Sequence, residues 1–418
     1  MPTDQTDRNF MANIRVLELA GETGAYTGKL FADLGAEVIR IEPIAGDSVR
    51  LEKPFYKDTP GMENSLRYQY LNTNKKGIVL DITSLEGQEV FLRLIRKSDL
   101  LIESFPPGYL DSLGIGYEVC SSLNPKLVYT AITPYGQYGP YKDYPYSDIT
   151  CMAMGGLLYL AGVNEDKPGL IPDKQSYFAG DLNAACTSMV ALMHAELTSE
   201  GQFIDVSLQE CVGTCLENAI QTYDMEGGIR RSSGGSQAGT GIYKCKDGYV
   251  FLYAVFAHRS PIFWNPLVAF MKKDGVPNVE EELKWENNWI EFTYRKSEEG
   301  KERFKKIFEM FAAKHTMLEL YEEGQKHNCI MYPVNTAKGV LENPQLTYRK
   351  YFKNLYSKTL NDSILVPGPP YSIEKMSWEL KAAAPAFGEH TFEVLSGLGY
   401  GADEIKTFAE KGAAVYAK

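Results

Sequence analysis

Cysteine and histidine, the side chains that most often do covalent or metal chemistry, are poorly placed for either here. The five histidines lie far apart and lack ligand spacing, so no metal site is expected. The seven cysteines stand at 120, 151, 186, 211, 215, 245 and 329. An odd number with no CxxC pair fits reduced thiols in a cytoplasmic protein. Cys211 and Cys215 share a face at helical spacing and read as small apolar packing residues rather than ligands. Three other patterns could carry chemistry. Gly21, Gly24 and Gly28 follow an apolar run, as a phosphate-binding turn would, but they do not spell GxGxxG. On their own they fit tight turns and close helix–sheet packing. Lys75 and Lys76 are adjacent cations that could meet phosphates or stand solvated at the start of a strand. Asp181 opens a run rich in small residues, where a first-turn acid is favoured by the helix dipole.

The elements that must hold these residues alternate between strand and helix. Ile14 to Leu19 predicts a strand, the glycines a turn, Lys29 to Leu34 a helix closed by Gly35, and Glu37 to Glu42 a second strand. That βαβ unit calls for a parallel sheet and a right-handed crossover. KKGIVLDIT predicts a further strand, Ser84 an N-cap for the helix through EVFLRLIRK, and DLLIES and NPKLVYTAIT two more strands. Asp181 to Glu196 reads as a helix, and FIDVSLQE as an extended segment entering another. RRSSGGSQAGTG (230–241) is a loop, and IYKCKDGYVFLYAV is a hairpin turning at Lys246-Asp247-Gly248. Residues 264–330 read as charged, Trp-bearing and largely helical, and the chain closes on two short helices, the second near Ala402. Alternation of this kind predicts an open α/β domain.

Composition bounds the function. The chain has 418 residues, 44% hydrophobic and 23% charged, which is globular rather than disordered. Its net charge of −11 and lack of a basic run argue against nucleic-acid and anionic-membrane partners. An anionic substrate would then need a local basic pocket. The most apolar run, Ile149 to Val163, is too short and too glycine-bearing to span a bilayer. The opening MPTDQTDRNFMANIRV has no apolar core of the kind a secretory signal carries, so a cytoplasmic location is expected.

Several strings, taken in order, carry a resemblance. IRVLELAG and LFADLGAEVIRIEPIAGDSVR open it. LNTNKKGIVLDITSLEGQEVFLRLIRKSDLLIESFPPGYLDSLGIGYE, NPKLVYTAITPYGQYGPY, TSEGQFIDVSLQE, YKCKDGYVFL and APAFGEHTFEVLSGLGY follow. Together they resemble the class III CoA-transferases, the family of formyl-CoA and carnitine-CoA transferases and α-methylacyl-CoA racemase. The resemblance implies a Rossmann-like large domain with a smaller inserted α+β domain. Residues 1–225 would form the N-terminal part of the large domain, 226–334 the small domain, and 335–418 a return segment completing the large one. It also implies two chains threaded through each other as interlocked rings. The implied reaction moves CoA between carboxylic acids, with CoA as substrate and no cofactor. An aspartate carboxylate attacks the acyl-CoA thioester, and a mixed anhydride and an enzyme–CoA thioester follow.

The chain departs from that pattern where the chemistry sits. The family's nucleophile is the Asp of an Asp-x-x-x-Gly turn ahead of a helix ending in TGxGQ, which here is Thr198-Ser199-Glu200-Gly201-Gln202. An ungapped count lands on Tyr177, and one inserted residue lands on Ser176. Asp181 reaches the position only with a four-residue deletion in the helix, which helices accommodate poorly. The family's Asn-x-Arg-Pro-Gly is Ser104-Phe105-Pro106-Pro107-Gly108 here, and a later Arg position is Ser112. Bidentate phosphate contacts go with those arginines. Leu71, Asn72, Asn74, Lys75 and Lys76 match the family's adenine- and phosphate-side segment. The racemase histidine is Ser147, beside Asp148, so paired proton exchange is not expected.

Three readings follow. In the first, this is a nucleophile-free subunit that pairs with a homologous chain carrying the catalytic Asp. It resembles a partner chain of the two-subunit benzylsuccinate CoA-transferases of anaerobic toluene degradation, and the Gly234-Gly235 loop would serve the shared active site. In the second, it is an active homodimer using Asp181. In the third, it is a non-enzymatic scaffold on the same fold. An acyl-CoA and a small carboxylic acid are the expected small-molecule partners.

Overall fold

The structure is a computed structural model and describes residues 10–162, 167–229, 237–255, 261–374 and 378–417. The chain divides into two compact units. One comprises Met1–Leu157, Pro172–Glu217 and Gln345–Lys418; the other comprises Leu158–Ile171 and Asn218–Pro344. The expected cuts at 225/226 and 334/335 therefore fall at 217/218 and 344/345, and residues 158–171 join the second unit.

The first unit is built on a parallel sheet. Its strands are β1 (Arg15–Leu19), β2 (Glu37–Glu42), β3 (Lys76–Leu80), β4 (Leu100–Glu103), β5 (Val128–Thr133) and β6 (Phe203–Ser207). The order is β3-β2-β1-β4-β5-β6, all parallel, with the short strand Ala414–Val415 antiparallel outside β3. The order reverses between β1 and β4, the place where doubly wound sheets hold their ligands. The strands are near-continuous apolar runs because both faces are covered. Four helices matter for the site: α1 (Ala25–Asp33), α2 (Leu85–Ile95), α3 (Tyr117–Leu123) and α4 (Gln175–Thr198). Leu17, Ile39, Leu101 and Tyr129 pack in one core with Val90 and Leu94 of α2 and Cys120 of α3. Val16, Val38, Ile102 and Val128 pack in another with Phe31 of α1 and Ala184 and Leu192 of α4. The predicted cap on α2 is present: Ser84 Oγ accepts the Gly87 N–H at 3.1 Å.

Two local readings need correction. The helix expected from Asp181 begins at Gln175, so Ser176 and Tyr177, which precede the expected start, are first-turn helical residues. Asp181 lies deeper, beyond the reach of the helix-end dipole. The start is early because Asp148 anchors it, its carboxylate accepting the Ser176 N–H at 2.8 Å. An antiparallel hairpin, Phe352–Ser357 with Asp362–Pro367, was not anticipated.

In the second unit, β7 (Thr240–Lys244) and β8 (Tyr249–Tyr253) form the expected hairpin, and β9 (Met331–Pro333) joins β8 antiparallel. Helices Trp264–Lys273, Glu298–Ala312 and Met317–Lys326 bring Trp264, Phe304, Phe308, Phe311 and Leu320 into its core.

Candidate active-site corner

The corner is built where β1 ends. Gly24, at φ +93°, starts α1 in the left-handed region, and a Cβ there would stand 2.7 Å from the Ala20 Cβ. Glycine is therefore required both for the backbone angle and for the close approach. At Gly28 a Cβ would collide with the Glu18 carboxylate. The glycines serve turn and packing, as the sequence allowed.

The N-terminus of α1 has no side-chain cap of its own. Asp181 of α4 supplies one from afar: one carboxylate oxygen accepts the Gly24 N–H at 2.7 Å and the other the Tyr26 N–H at 3.0 Å. Thr27 Oγ donates to the Asp181 carbonyl at 3.0 Å. Asp181 is 1% exposed. Burial pushes its carboxyl up to about 7, against the pull of the two amides. Both oxygens accept backbone amides, so Asp181 works as a remote helix cap.

Ser176 is fully buried, its Oγ donating to Asp148 at 2.7 Å. Tyr177 is also buried, edge-on to Tyr146 with ring centroids 6.4 Å apart and with Lys174 Nζ 5.4 Å above its ring. Burial raises its hydroxyl above the ordinary phenol range. Beside it an ion network ties the opening turn to the start of α4: Glu22 meets Lys174 at 2.8 Å and Arg67 at 2.6 Å, and Arg67 reaches Asp173 at 2.9 Å. The three positions considered for the nucleophile thus hold a hydroxyl bonded to Asp148, a phenol and a capping carboxylate.

The segment matched to a CoA site is also engaged in the fold. Lys75 is neither solvated nor free for a phosphate. Its side chain is wholly buried, with Nζ 2.8 Å from Glu18, 2.8 Å from the Ala25 carbonyl and 2.9 Å from Asn72 Oδ1. Burial lowers it to about 8, with Glu18 opposing. Asn72 is buried and donates to the Tyr68 carbonyl at 3.1 Å. Asn74 donates to Asp33 at 2.8 Å and accepts the Lys381 and Ala382 N–H groups at 2.7 and 2.9 Å. Leu71 packs with Val49 and Tyr68. Lys76 starts β3 at the surface and bridges Glu37 at 2.9 Å and Glu393 at 2.8 Å. Gly234 and Gly235 lie outside the described residues.

Sequence reasoning missed the buried charges that organise this corner. Arg40 bonds Glu18 and Asp47, and Arg50 bonds Glu42 at 2.7 Å, Glu63 at 2.8 Å and the Tyr68 hydroxyl at 2.6 Å. Their signal was visible: Glu18, Arg40 and Glu42 sit at alternating positions inside otherwise apolar strands, where a charge must be paired. Also missed was a cleft of about 730 Å³ lined by Arg349, Lys350 and Lys353 with Tyr351 and Tyr371, and, among the described residues, by no carboxylate. It is a local basic pocket of the kind an acidic chain needs for an anionic substrate. Among the described residues no group of His, Cys, Asp and Glu could hold a metal ion, and no helix is long and apolar enough to cross a membrane.

A mixed α/β chain with this parallel sheet and this corner matches the family model described as CoA-transferase family III over residues 11–391. The chain belongs to that family of enzymes. It is 42% identical over 407 residues to the succinyl-CoA:(R)-benzylsuccinate CoA-transferase subunit BbsE of Thauera aromatica, covering 97% of this chain and 98% of the relative. It is 27% identical to the succinyl-CoA–L-malate CoA-transferase beta subunit of Chloroflexus aurantiacus, covering 92% and 93%. A CAIB/BAIF family protein from Brucella suis shares the fold, with a TM-score of 0.82 at 23% identity over 94% of this chain and 99% of that one.

Proposed function

We propose that this chain is the nucleophile-free subunit of a two-chain CoA-transferase that moves CoA from succinyl-CoA to an aromatic dicarboxylic acid of the benzylsuccinate kind. One observation carries the reading. At the corner where a carboxylate nucleophile is expected, the aspartate at hand, Asp181, is 1% exposed with both oxygens accepting backbone amides. The likeness to a subunit named for that reaction supports it.

The partner chain then supplies the attacking carboxylate. That carboxylate displaces CoA thiolate from the acyl-CoA and leaves a mixed anhydride. The thiolate attacks the enzyme acyl carbon and releases the donor acid. The acceptor carboxylate repeats the sequence in reverse and leaves as its CoA ester. This chain's part is to complete the assembly, with its smaller unit inserted in the larger and the two chains interlocked, and to help shape the acid pocket, the Gly234-Gly235 loop serving the shared site. Helix α4 supports a second chain: Leu182, Val190, Met193 and Leu197 are 48%, 67%, 60% and 85% exposed along it. Such a stripe on a helix is otherwise left wet at a cost. The homodimer reading needs a free Asp181, whose oxygens are both engaged, and family membership disfavours the scaffold.

The test is CoA exchange from succinyl-CoA to benzylsuccinate by the purified chain, by a co-expressed homologous partner, and by both together. Activity is expected only when the partner keeps its nucleophile. Exchange by the pure chain that is abolished by Asp181→Ala would overturn the proposal.

A further inference from the structure

A second cavity, of about 330 Å³, opens on the α2 side of the sheet beside the end of β4. Among the described residues three carboxyl groups line it, Glu103, Asp111 and Glu118, and no lysine or arginine does. Aromatic rings form its wall: Tyr117, Tyr129 and Phe203 pack with centroids 5.6, 5.0 and 5.4 Å apart, and Tyr109 adds a fourth. Glu103 is only 6% exposed. One of its oxygens accepts the Phe105 N–H at 2.7 Å, and among the described residues the other has no partner. The Gln137 side-chain nitrogen, also on this lining, is buried and has no partner among the described residues. Elsewhere on this face the strands carry Leu17, Leu101 and Ala131, so Glu103 is a carboxyl in an apolar position. Burial pushes it up to about 8, the Phe105 amide opposing and Asp111 adding to the rise. The free oxygen is not among the buried unpartnered atoms, so it opens on the cavity, where water or a ligand can satisfy it.

We propose that this cavity binds an organic cation, an ammonium or guanidinium group held against Glu103 by the aromatic wall. Ring faces attract such cations and do so most strongly when water is excluded. Asp111 and Glu118 draw the cation in, and among the described lining residues no positive group competes with it. The Gln137 amide can turn its oxygen toward the ligand, since the two ends of the amide are interchangeable in shape. The cation has two possible sources with the same chemistry: a free small amine, or the cationic side chain of a second chain. The site is separate from the Asp181 corner and does not depend on the CoA-transfer reading.

The experiment is calorimetric titration of the full chain at low salt with tetramethylammonium and with methylguanidinium, using tert-butanol as the uncharged control. Saturable binding of the cations but not of tert-butanol is expected. Glu103→Gln should weaken it at least tenfold and Tyr117→Leu severalfold; the second variant serves if the first does not fold. The two-chain complex separates the sources. If a partner side chain fills the cavity, the complex takes up no added cation and Glu103→Gln weakens assembly. If the ligand is a free amine, the complex still binds the cations and assembly is unchanged by the variant. Binding no better than that of tert-butanol, together with assembly indifferent to Glu103→Gln, would overturn the proposal. So would cation binding that neither variant alters.

Discussion

Glu18, Arg40 and Glu42 project to one face of the sheet, and each meets an opposite charge; Glu103 projects to the other and, among the described residues, meets only the Phe105 amide. Both sets are buried at strand ends near the point where the strand order reverses. The difference lies in what surrounds them. On the first face Lys75, Arg50 and Asp47 come from the segments that follow β2 and precede β3, and they pair these charges within the fold, leaving Arg40 Nε without a hydrogen-bond partner among the described residues. On the second, rings and two further acids surround Glu103. Charges closed on each other hold a corner rigid and leave little for a substrate. A carboxyl left open keeps binding capacity.

The largest effect that could break this comparison is on the closed face. Arg40→Met leaves Glu18 and Asp47 without their guanidinium and should destabilise by about 3–5 kcal/mol, as one-sided loss of a buried pair does. Urea unfolding measures it. A loss near that of a surface substitution would mean the network is not closed as described.

Next comes Glu103. Its folded value is raised from the ordinary carboxylate value to about 8. Its contribution to stability is therefore fully present below the unfolded carboxylate value and is lost as pH rises through about 8. At about 1.4 kcal/mol per pKa unit, wild-type chain should lose a few kcal/mol across that window, and Glu103→Gln should not. Thermal melts of both from pH 5 to pH 8 would show the variant gaining relative stability as pH rises. Parallel curves would show that Glu103 is already charged and partnered.

Asp181 gives a smaller effect of the same sign. Asp181→Ala removes a remote helix cap, worth roughly 0.5–2 kcal/mol at pH 5. That difference should shrink toward pH 8, because the wild-type carboxyl, raised to about 7, loses its stabilising protonated form on the way. Exchange by the two-chain enzyme should persist in this variant. The smallest effect belongs to Lys76→Ala, which removes two partly exposed pairs and should cost no more than about 1 kcal/mol in the same melts. A larger loss would place Lys76 with the closed network.

Much of the fold was legible. Each strand of the parallel sheet is a short apolar run between turn signals, and the Ser84 cap can be read from one residue. The hairpin Phe352–Ser357 with Asp362–Pro367 was not, because half its residues are polar or charged and its turn lacks glycine. The site was legible as types of residue but not as roles. Lys75 and Lys76 are adjacent and identical in kind, yet one is sealed against Glu18 and the other bridges two surface acids. Lys75 precedes β3 and Lys76 begins it, and successive side chains of extended backbone leave on opposite sides. Only the sheet's neighbours decide which face is closed.

From residue order alone came the α/β alternation, the glycine turn after β1, and the absence of aspartate at Ser176 and Tyr177. These depend on local periodicity and on which atoms a side chain owns. The tertiary structure decided that Asp181 caps α1 across 157 positions of sequence, that Lys75 is internal, and that Glu103 faces rings instead of a cation. Those outcomes depend on which distant groups share a small volume from which water is excluded, and there an electrostatic partner gained or lost sets the role of a charge.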